Sequence, residues 1–91
     1  MYRTWELIID PDAAKDLEDL DGAARKRIKK FFDERLSTLE NPRSIGEALK
    51  GTRLGDLWKY RVGDHRIFAR IDDHSVTVVV VKVGHRREVY R

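Results

Sequence analysis

Basic side chains are concentrated around a Gly63-Asp64 pair near the middle of the chain. This pair suits a tight two-residue hairpin turn with positive φ at the glycine. Such a turn pairs Arg61 with Arg66, and strand alternation then gathers a basic set of side chains on one face of the sheet. The residues that share this face are Leu57, Lys59, Arg61, Arg66, Phe68 and Arg70, of which four are basic. Two arginines directly opposite each other repel, so the face needs water or an anion, as a phosphate-binding surface would supply. An ordinary solvated face is the alternative interpretation.

The last residues of the chain add groups that can move protons and bind phosphate. Arg86, Arg87, Tyr90 and Arg91 follow the final predicted strand and could fold back along the basic face. Tyrosine can act as a general base where neighbouring cations lower its pKa, and arginine can stabilise the charge that develops during phosphoryl transfer. Together they could activate a ribose 2′-hydroxyl against its own phosphate, a reaction that needs no metal. On composition alone, a terminal aromatic packing onto the sheet is the favoured interpretation of Tyr90.

Several other kinds of site are excluded or disfavoured. The sequence contains no cysteine, which excludes a disulfide, a thiolate metal site and a cysteine nucleophile. His65, His74 and His85 lie on different segments without the spacing of a metal site, and no glycine-rich phosphate loop is present. We therefore expect neither a metal nor a cofactor.

Charge is distributed unevenly along the 91 residues. Residues 1–49 contain nine Lys or Arg and eleven Asp or Glu, a net charge of −2, whereas residues 50–91 contain ten and five, a net charge of +5. Such asymmetry favours a polyanion such as nucleic acid as a partner, and a Lys- and Arg-rich surface explains the charge alone equally well. The chain shows no signal peptide and no apolar run of membrane-spanning length. With the absence of cysteine, this predicts a cytoplasmic protein without membrane contact.

The elements that position these groups follow from the spacing of apolar residues. Period-two alternation predicts strands, and three-and-four spacing predicts two helices that Asp10 and Asp21 cap. The predicted strands are Tyr2–Ile9, Leu57–Val62, His65–Ile71 and Val76–Val83; one helix starts at Asp10-Pro11 and the other spans Ala23–Leu39. Residues 42–56 are expected to be irregular. The sequence thus predicts a single α+β domain over residues 1–91 with the order βααβββ. A two-helix hairpin would pack on a small, mostly antiparallel, twisted sheet with its last strand central.

Two segments resemble motifs of the RelE/ParE toxin superfamily. Leu49-Lys50-Gly51 and residues 57–67 resemble its "LKG…W/YKIRxGDYRI" stretch, and residues 81–90 resemble the "xxxVGHRxEVY" ending of its RelE branch. The resemblance covers nearly the whole chain, including the predicted element order. It implies a toxin of a type II toxin–antitoxin system. The RelE-like toxins it resembles are ribosome-dependent endoribonucleases, which cut mRNA to leave a cyclic or 3′-phosphate and a 5′-hydroxyl.

The resemblance also implies roles for individual residues. Carried over by motif, the catalytic residues are Lys59, Arg61, Arg66, Arg86 and Tyr90. Tyr90 would be the general base, and Arg86 would stabilise the transition state or protonate the leaving group. The three strand residues would hold the scissile and flanking phosphates. Further RNA contacts are expected from Arg70, His85, Arg87 and Arg91. Leu57 stands where some relatives carry a second lysine, which leaves the proton-transfer roles open.

The partners implied by the resemblance are the ribosome with its mRNA and a cognate antitoxin, with which such toxins form hetero-oligomers. Three alternatives remain. One is a ParE-like inhibitor of DNA gyrase, although that branch generally lacks the combination of Arg66, Arg86 and Tyr90. The others are a non-catalytic RNA-binding module that uses the same basic face, and a degenerate toxin without activity.

Overall fold

A five-stranded mixed sheet with two helices on one face forms the fold. The structure is a computed structural model that describes residues 5–36, 41–52 and 55–85. Its strands are β1 (Glu6–Ile9), β2 (Glu47–Thr52), β3 (Gly55–Val62), β4 (His65–Asp72) and β5 (Thr77–His85). Its helices are α1 (Pro11–Glu18) and α2 (Gly22–Phe31), followed by a π-helical turn (Phe32–Leu36) and a 3-10 turn (Pro42–Ser44). This architecture confirms the predicted α+β class.

The strand order in the sheet is β1-β5-β4-β3-β2. β1 pairs with β5 in parallel, and the three other pairings are antiparallel. The prediction of a mostly antiparallel sheet is therefore confirmed. β5 lies inside the sheet, as its apolar composition predicts, although the middle position belongs to β4. Of the first predicted strand, Tyr2–Thr4 lies outside the described residues.

The expectation of irregular structure over residues 42–56 is wrong, because residues 47–52 form β2. The chain order within the described residues is accordingly βααββββ. β2 pairs Glu47 with Lys59 and Leu49 with Leu57 before a register irregularity that ends at Thr52. Gly51, with φ of +74°, lies inside this irregularity. A glycine weakens the strand pattern in a sequence. Here the hydrogen-bonded pairing with β3 holds the segment as a strand although its local propensity is low.

Both predicted helix caps are confirmed. The Asp10 side chain accepts a hydrogen bond from the Asp12 N–H at 3.3 Å, and Asp21 accepts one from the Ala24 N–H at 2.7 Å. These bonds satisfy donors that the first turn of each helix leaves free. α2 ends at Phe31 and gives way to the π-helical turn, so the single α-helix predicted over Ala23–Leu39 is corrected up to Leu36, and residues 37–39 lie outside the described residues.

The main core lies between the helices and the sheet. Its buried members are Trp5, Ala13, Ile28, Phe32, Leu36, Tyr60, Val62, Ile67, Ala69, Val78, Val80 and Val83. The β3 and β4 residues in this cluster alternate with those of the predicted basic face, so the predicted sidedness of β3 and β4 is confirmed. No helix within the described ranges is long and apolar enough to cross a membrane.

Candidate functional site

The sheet face turned away from the helices carries the predicted basic set. Arg61 pairs with Arg66, Lys59 with Phe68 and Val62 with His65, in the register that the hairpin prediction requires. Gly63 has φ of +58° in the turn, which a glycine adopts at little cost. We call Lys59, Arg61, Arg66 and Arg70 the basic face.

An apolar floor lies among these cations. Leu57, Phe68 and Val81 are buried and form a second hydrophobic cluster, against which Leu49 and Val79 pack. The sheet therefore carries a hydrophobic cluster on each of its two faces. An apolar surface bordered by cations suits RNA, whose bases are apolar on their faces and whose backbone is anionic.

Lys59 is held by a carboxylate at the edge of the sheet. Its Nζ lies 3.1 Å from Oε2 of Glu47, the residue opposite it on β2. The Lys59 side chain is 11% exposed and that of Glu47 is 67% exposed. The sequence did not point to Glu47, because the strand that carries it was not predicted.

Arg66 differs from its neighbours because it is buried, with 5% of its surface exposed. Its Nη1 donates hydrogen bonds to the carbonyl oxygens of Gly63, at 3.2 Å, and His65, at 3.0 Å. The guanidinium is thus turned toward the hairpin and braces it, while Arg61 stays exposed. This arrangement explains how two arginines can occupy opposite positions in the ladder.

A β-bulge adds a cation that the sequence did not reveal. Phe68 pairs with Lys82, whereas the next residue, Ala69, pairs with Val80, so that Val81 is the extra residue. In such a bulge two successive residues oppose one on the partner strand. Without the bulge, Lys82 would point to the helix side of the sheet, as Val80 does two residues earlier. With the bulge it lies opposite Phe68, and it is exposed, as is Arg70.

Two of the three histidines meet at the end of the sheet. His65 and His85 are cross-strand partners whose rings contact edge to face, with centroids 5.6 Å apart and planes at 83°. His74 lies in the distant β4–β5 turn. Within the described ranges, no group of three His, Asp or Glu side chains is arranged to hold a metal ion.

The remaining predicted site residues, Arg86, Arg87, Tyr90 and Arg91, lie outside the described residues. The structure does show where the chain leaves the sheet toward them. The last pairs of β5 join Gly84 to Arg66 and His85 to His65. The segment that carries the predicted general base therefore begins beside the hairpin end of the basic face.

The fold is that of toxins from type II toxin–antitoxin systems. A family model described as "ParE toxin of type II toxin-antitoxin system, parDE" matches residues 7–90. The chain therefore belongs to this family of toxins, within the RelE/ParE superfamily.

Individual relatives lie on the RelE side of that superfamily. Toxin RelG of Mycobacterium tuberculosis is 33% identical over 79 residues, which are 87% of each chain. A chain of the toxin–antitoxin complex RelBE2 from the same organism superposes with a TM-score of 0.80 at 28% identity, covering 93% of this chain and 94% of the other. The isolated RelE toxin of E. coli gives a TM-score of 0.69 at 31% identity over 94% and 90% of the two chains.

Proposed function

We propose that this toxin is a ribosome-dependent endoribonuclease that cleaves mRNA by transesterification. The observation that carries the proposal is the basic face, which gathers Lys59, Arg61 and Arg70 around an apolar floor beside the point where the tail begins. The similarity to the RelE and RelG toxins supports the RelE branch, for which the sequence resemblance implies RNA as the target. A ribosomal target would place the toxin in the cytoplasm.

The proposed reaction is an in-line attack of a ribose 2′-oxygen on the adjacent phosphorus. The bond between the 2′-oxygen and phosphorus forms, and the bond between phosphorus and the 5′-oxygen of the next nucleotide breaks. Tyr90, as phenolate, takes the proton from the 2′-hydroxyl, and Arg86 stabilises the phosphorane charge or protonates the leaving oxygen. The products are a 2′,3′-cyclic phosphate and a 5′-hydroxyl.

The strand residues would bind the phosphates that surround the scissile bond. Arg61 is exposed and ready for such a contact, whereas Lys59 must exchange its contact with Glu47 for one with phosphate. Arg66 would act mainly by holding the hairpin in shape, because its Nη1 already bonds to the turn. His85, Arg87 and Arg91 remain proposed RNA contacts near the tail.

The test is primer-extension mapping of an mRNA in a purified translation reaction. We expect new mRNA ends in the ribosomal A site with the wild-type toxin. Tyr90→Phe should slow cleavage about 100-fold or more, since a positioned general base contributes roughly 10²–10⁴. Arg86→Ala should have a similar effect through loss of charge stabilisation. Lys26→Ala, on the solvent side of α2, is the matched control and should cleave at the wild-type rate.

If the mRNA stays intact although the wild-type toxin arrests growing cells, the nuclease proposal is refuted. The second candidate is then inhibition of DNA gyrase, which the match to the ParE family model favours. Cleavage that persists in Tyr90→Phe would instead refute the role given to the phenol. An RNA-binding module without catalysis would retain RNA affinity and produce no new ends.

We also propose that a cognate antitoxin binds this toxin in a hetero-oligomer. The M. tuberculosis RelBE2 structure is such a toxin–antitoxin complex, as is the archaeal RelE–RelB complex from Pyrococcus horikoshii. Ile8 and Ile9 of the edge strand β1 are 45% and 37% exposed, and they are the large apolar side chains most open to solvent in the described part of the chain. They are the candidate contacts for an antitoxin.

A further inference from the structure

A cleft lies between the π-helical turn and the free end of β3. Its volume is about 260 Å³, and its lining includes Phe31, Arg35, Ile45, Glu47, Lys59 and Arg61. It is open at this place because the pairing of β2 with β3 ends at Glu47 and Lys59. The last three residues of β3, 60–62, therefore have no strand beside them on that edge within the described residues. The cleft is continuous with the basic face, since Lys59 and Arg61 belong to both.

The π-helical turn is what brings Arg35 to the cleft. Arg35 follows Ile28 by seven residues, a spacing that in an α-helix returns to the same buried stripe. A π-helical turn closes its hydrogen bonds over five residues instead of four, so each turn takes up more residues. Leu36 then occupies the core position, where it is fully buried, and Arg35 remains exposed at the side next to Phe31.

The charge of the cleft fits an anion. Three cations, Arg35, Lys59 and Arg61, share its lining with a single carboxylate, that of Glu47. Glu47 already contacts Lys59 at 3.1 Å but is two-thirds exposed, and ion pairs with such exposure are weak. A phosphate that enters the cleft can displace it and gain the lysine.

The remaining walls fit an apolar, planar group. Phe31 is half-buried and contacts Tyr60, with ring centroids 5.9 Å apart and planes at 52°, and Ile45 lies on the same lining. A volume near the lower limit of ligand pockets suits a single nucleotide. Bases bind to such walls through their faces, and the backbone phosphate binds to arginine.

We propose that this cleft binds one nucleotide of the single-stranded RNA substrate, beside the nucleotide that is cut, and that Arg35 is its phosphate-binding residue. The proposal rests on the proposed nuclease function, whose substrate it extends by one subsite. Arg35 is a binding residue here and takes no part in the proton transfers.

The experiment measures the binding of a short single-stranded RNA whose riboses are 2′-O-methylated, so that it cannot be cleaved. Fluorescence anisotropy is recorded at several salt concentrations for the wild type and three variants. Arg35→Gln should weaken binding about fivefold to tenfold at low salt and reduce the slope of log K against log salt by about 0.7, as for one lost contact to single-stranded RNA. Glu47→Gln should tighten binding about threefold, because it removes the carboxylate that competes with phosphate for Lys59. Lys26→Gln is the control with equal loss of charge on the outer side of α2.

Affinities and slopes that are the same for Arg35→Gln and Lys26→Gln would overturn the proposal, as would a wild type that does not bind the RNA at low salt. Binding of a hexaglutamate peptide is measured in the same way. If Arg35→Gln loses binding of this peptide but binds RNA as the wild type does, the cleft belongs to a protein partner and the proposal is overturned. The mapping of mRNA ends tests the nuclease separately. If mRNA is cleaved but Arg35→Gln does not change RNA affinity, the subsite alone is rejected. If RNA affinity depends on Arg35 but mRNA is not cleaved, the subsite is retained and the nuclease is rejected.

Discussion

Removal of one buried hydroxyl group should change the stability of this toxin in opposite directions at neutral and alkaline pH. Tyr60 is 1% exposed, and its hydroxyl donates a hydrogen bond of 2.7 Å to the carbonyl oxygen of Pro42. The substitution Tyr60→Phe keeps the ring and leaves that buried carbonyl without its donor. We expect a loss of about 1.5 kcal/mol in the free energy of unfolding at pH 7, equivalent to a fall in Tm of roughly 6–12 °C for a domain of this size.

The alkaline effect arises from the ionisation of the same group. Burial disfavours the phenolate and raises the pKa of Tyr60 from 10.0 to about 12. Because the folded-state pKa lies above the unfolded-state value, the stabilisation is complete below pH 10 and is lost as the pH rises toward 12. One pKa unit corresponds to about 1.4 kcal/mol, so the wild type loses about 3 kcal/mol over this range. Tyr60→Phe has no phenol to ionise and is spared that loss.

The assay is urea unfolding of the wild type and Tyr60→Phe at intervals from pH 7 to pH 12. The wild type should be more stable at neutral pH, the two should be equal near pH 11, and the variant should be more stable above it. Phe32→Leu is the control, because it alters a buried ring that cannot ionise and its cost should not vary with pH. A difference between the wild type and Tyr60→Phe that stays constant across this range would refute the reasoning.

Two further predictions concern the frame around the site. The Val83 N–H, beyond the last pair of β1 with β5, donates a 3.0 Å hydrogen bond to Oδ2 of Asp16. Asp16→Ala should therefore lower the free energy of unfolding by about 1–3 kcal/mol, whereas Asp16→Asn, which keeps an acceptor, should lower it less; equal urea midpoints for the two variants would contradict this. A Cβ on Gly46 would lie 2.8 Å from a ring carbon of Tyr60, and one on Gly22 would meet nothing within 4 Å. Gly46→Ala should thus cost about 1–3 kcal/mol by overpacking and Gly22→Ala almost nothing, and similar thermal midpoints for both would show that the Tyr60 ring moves aside.

Local signals in the sequence were sufficient for most of the fold. The caps at Asp10 and Asp21 and the Gly63 turn each depend on a few adjacent residues, and they occur as predicted. β2 could not be predicted in this way, because Gly51 weakens the strand signal and the strand is held by its pairing with β3. The end of α2 could not be predicted either. The buried residues of the π-helical turn, Phe32 and Leu36, are four positions apart, and an α-helix produces the same spacing.

The same division applies to the site. The basic face followed from period-two alternation and one hairpin register, which are properties of neighbouring residues. Glu47, Lys82 and Arg35 escaped notice because each depends on a departure from regular geometry: an unrecognised edge strand, a β-bulge and a π-helical turn. The burial of Arg66 against its own turn has no signature in the sequence that we can identify.

The parallel pairing of β1 with β5 has a consequence for how the toxin comes into being on the ribosome. Glu6 is made about seventy residues before its partner Thr77. β5 also supplies Val78, Val80 and Val83 to the main core. A nascent chain that lacks β5 therefore lacks these three core residues and the strand with which β1 pairs. The sheet that carries the basic face is complete only when β5, which joins β1 to β4, has emerged, so assembly of the toxin depends on the translation of β5.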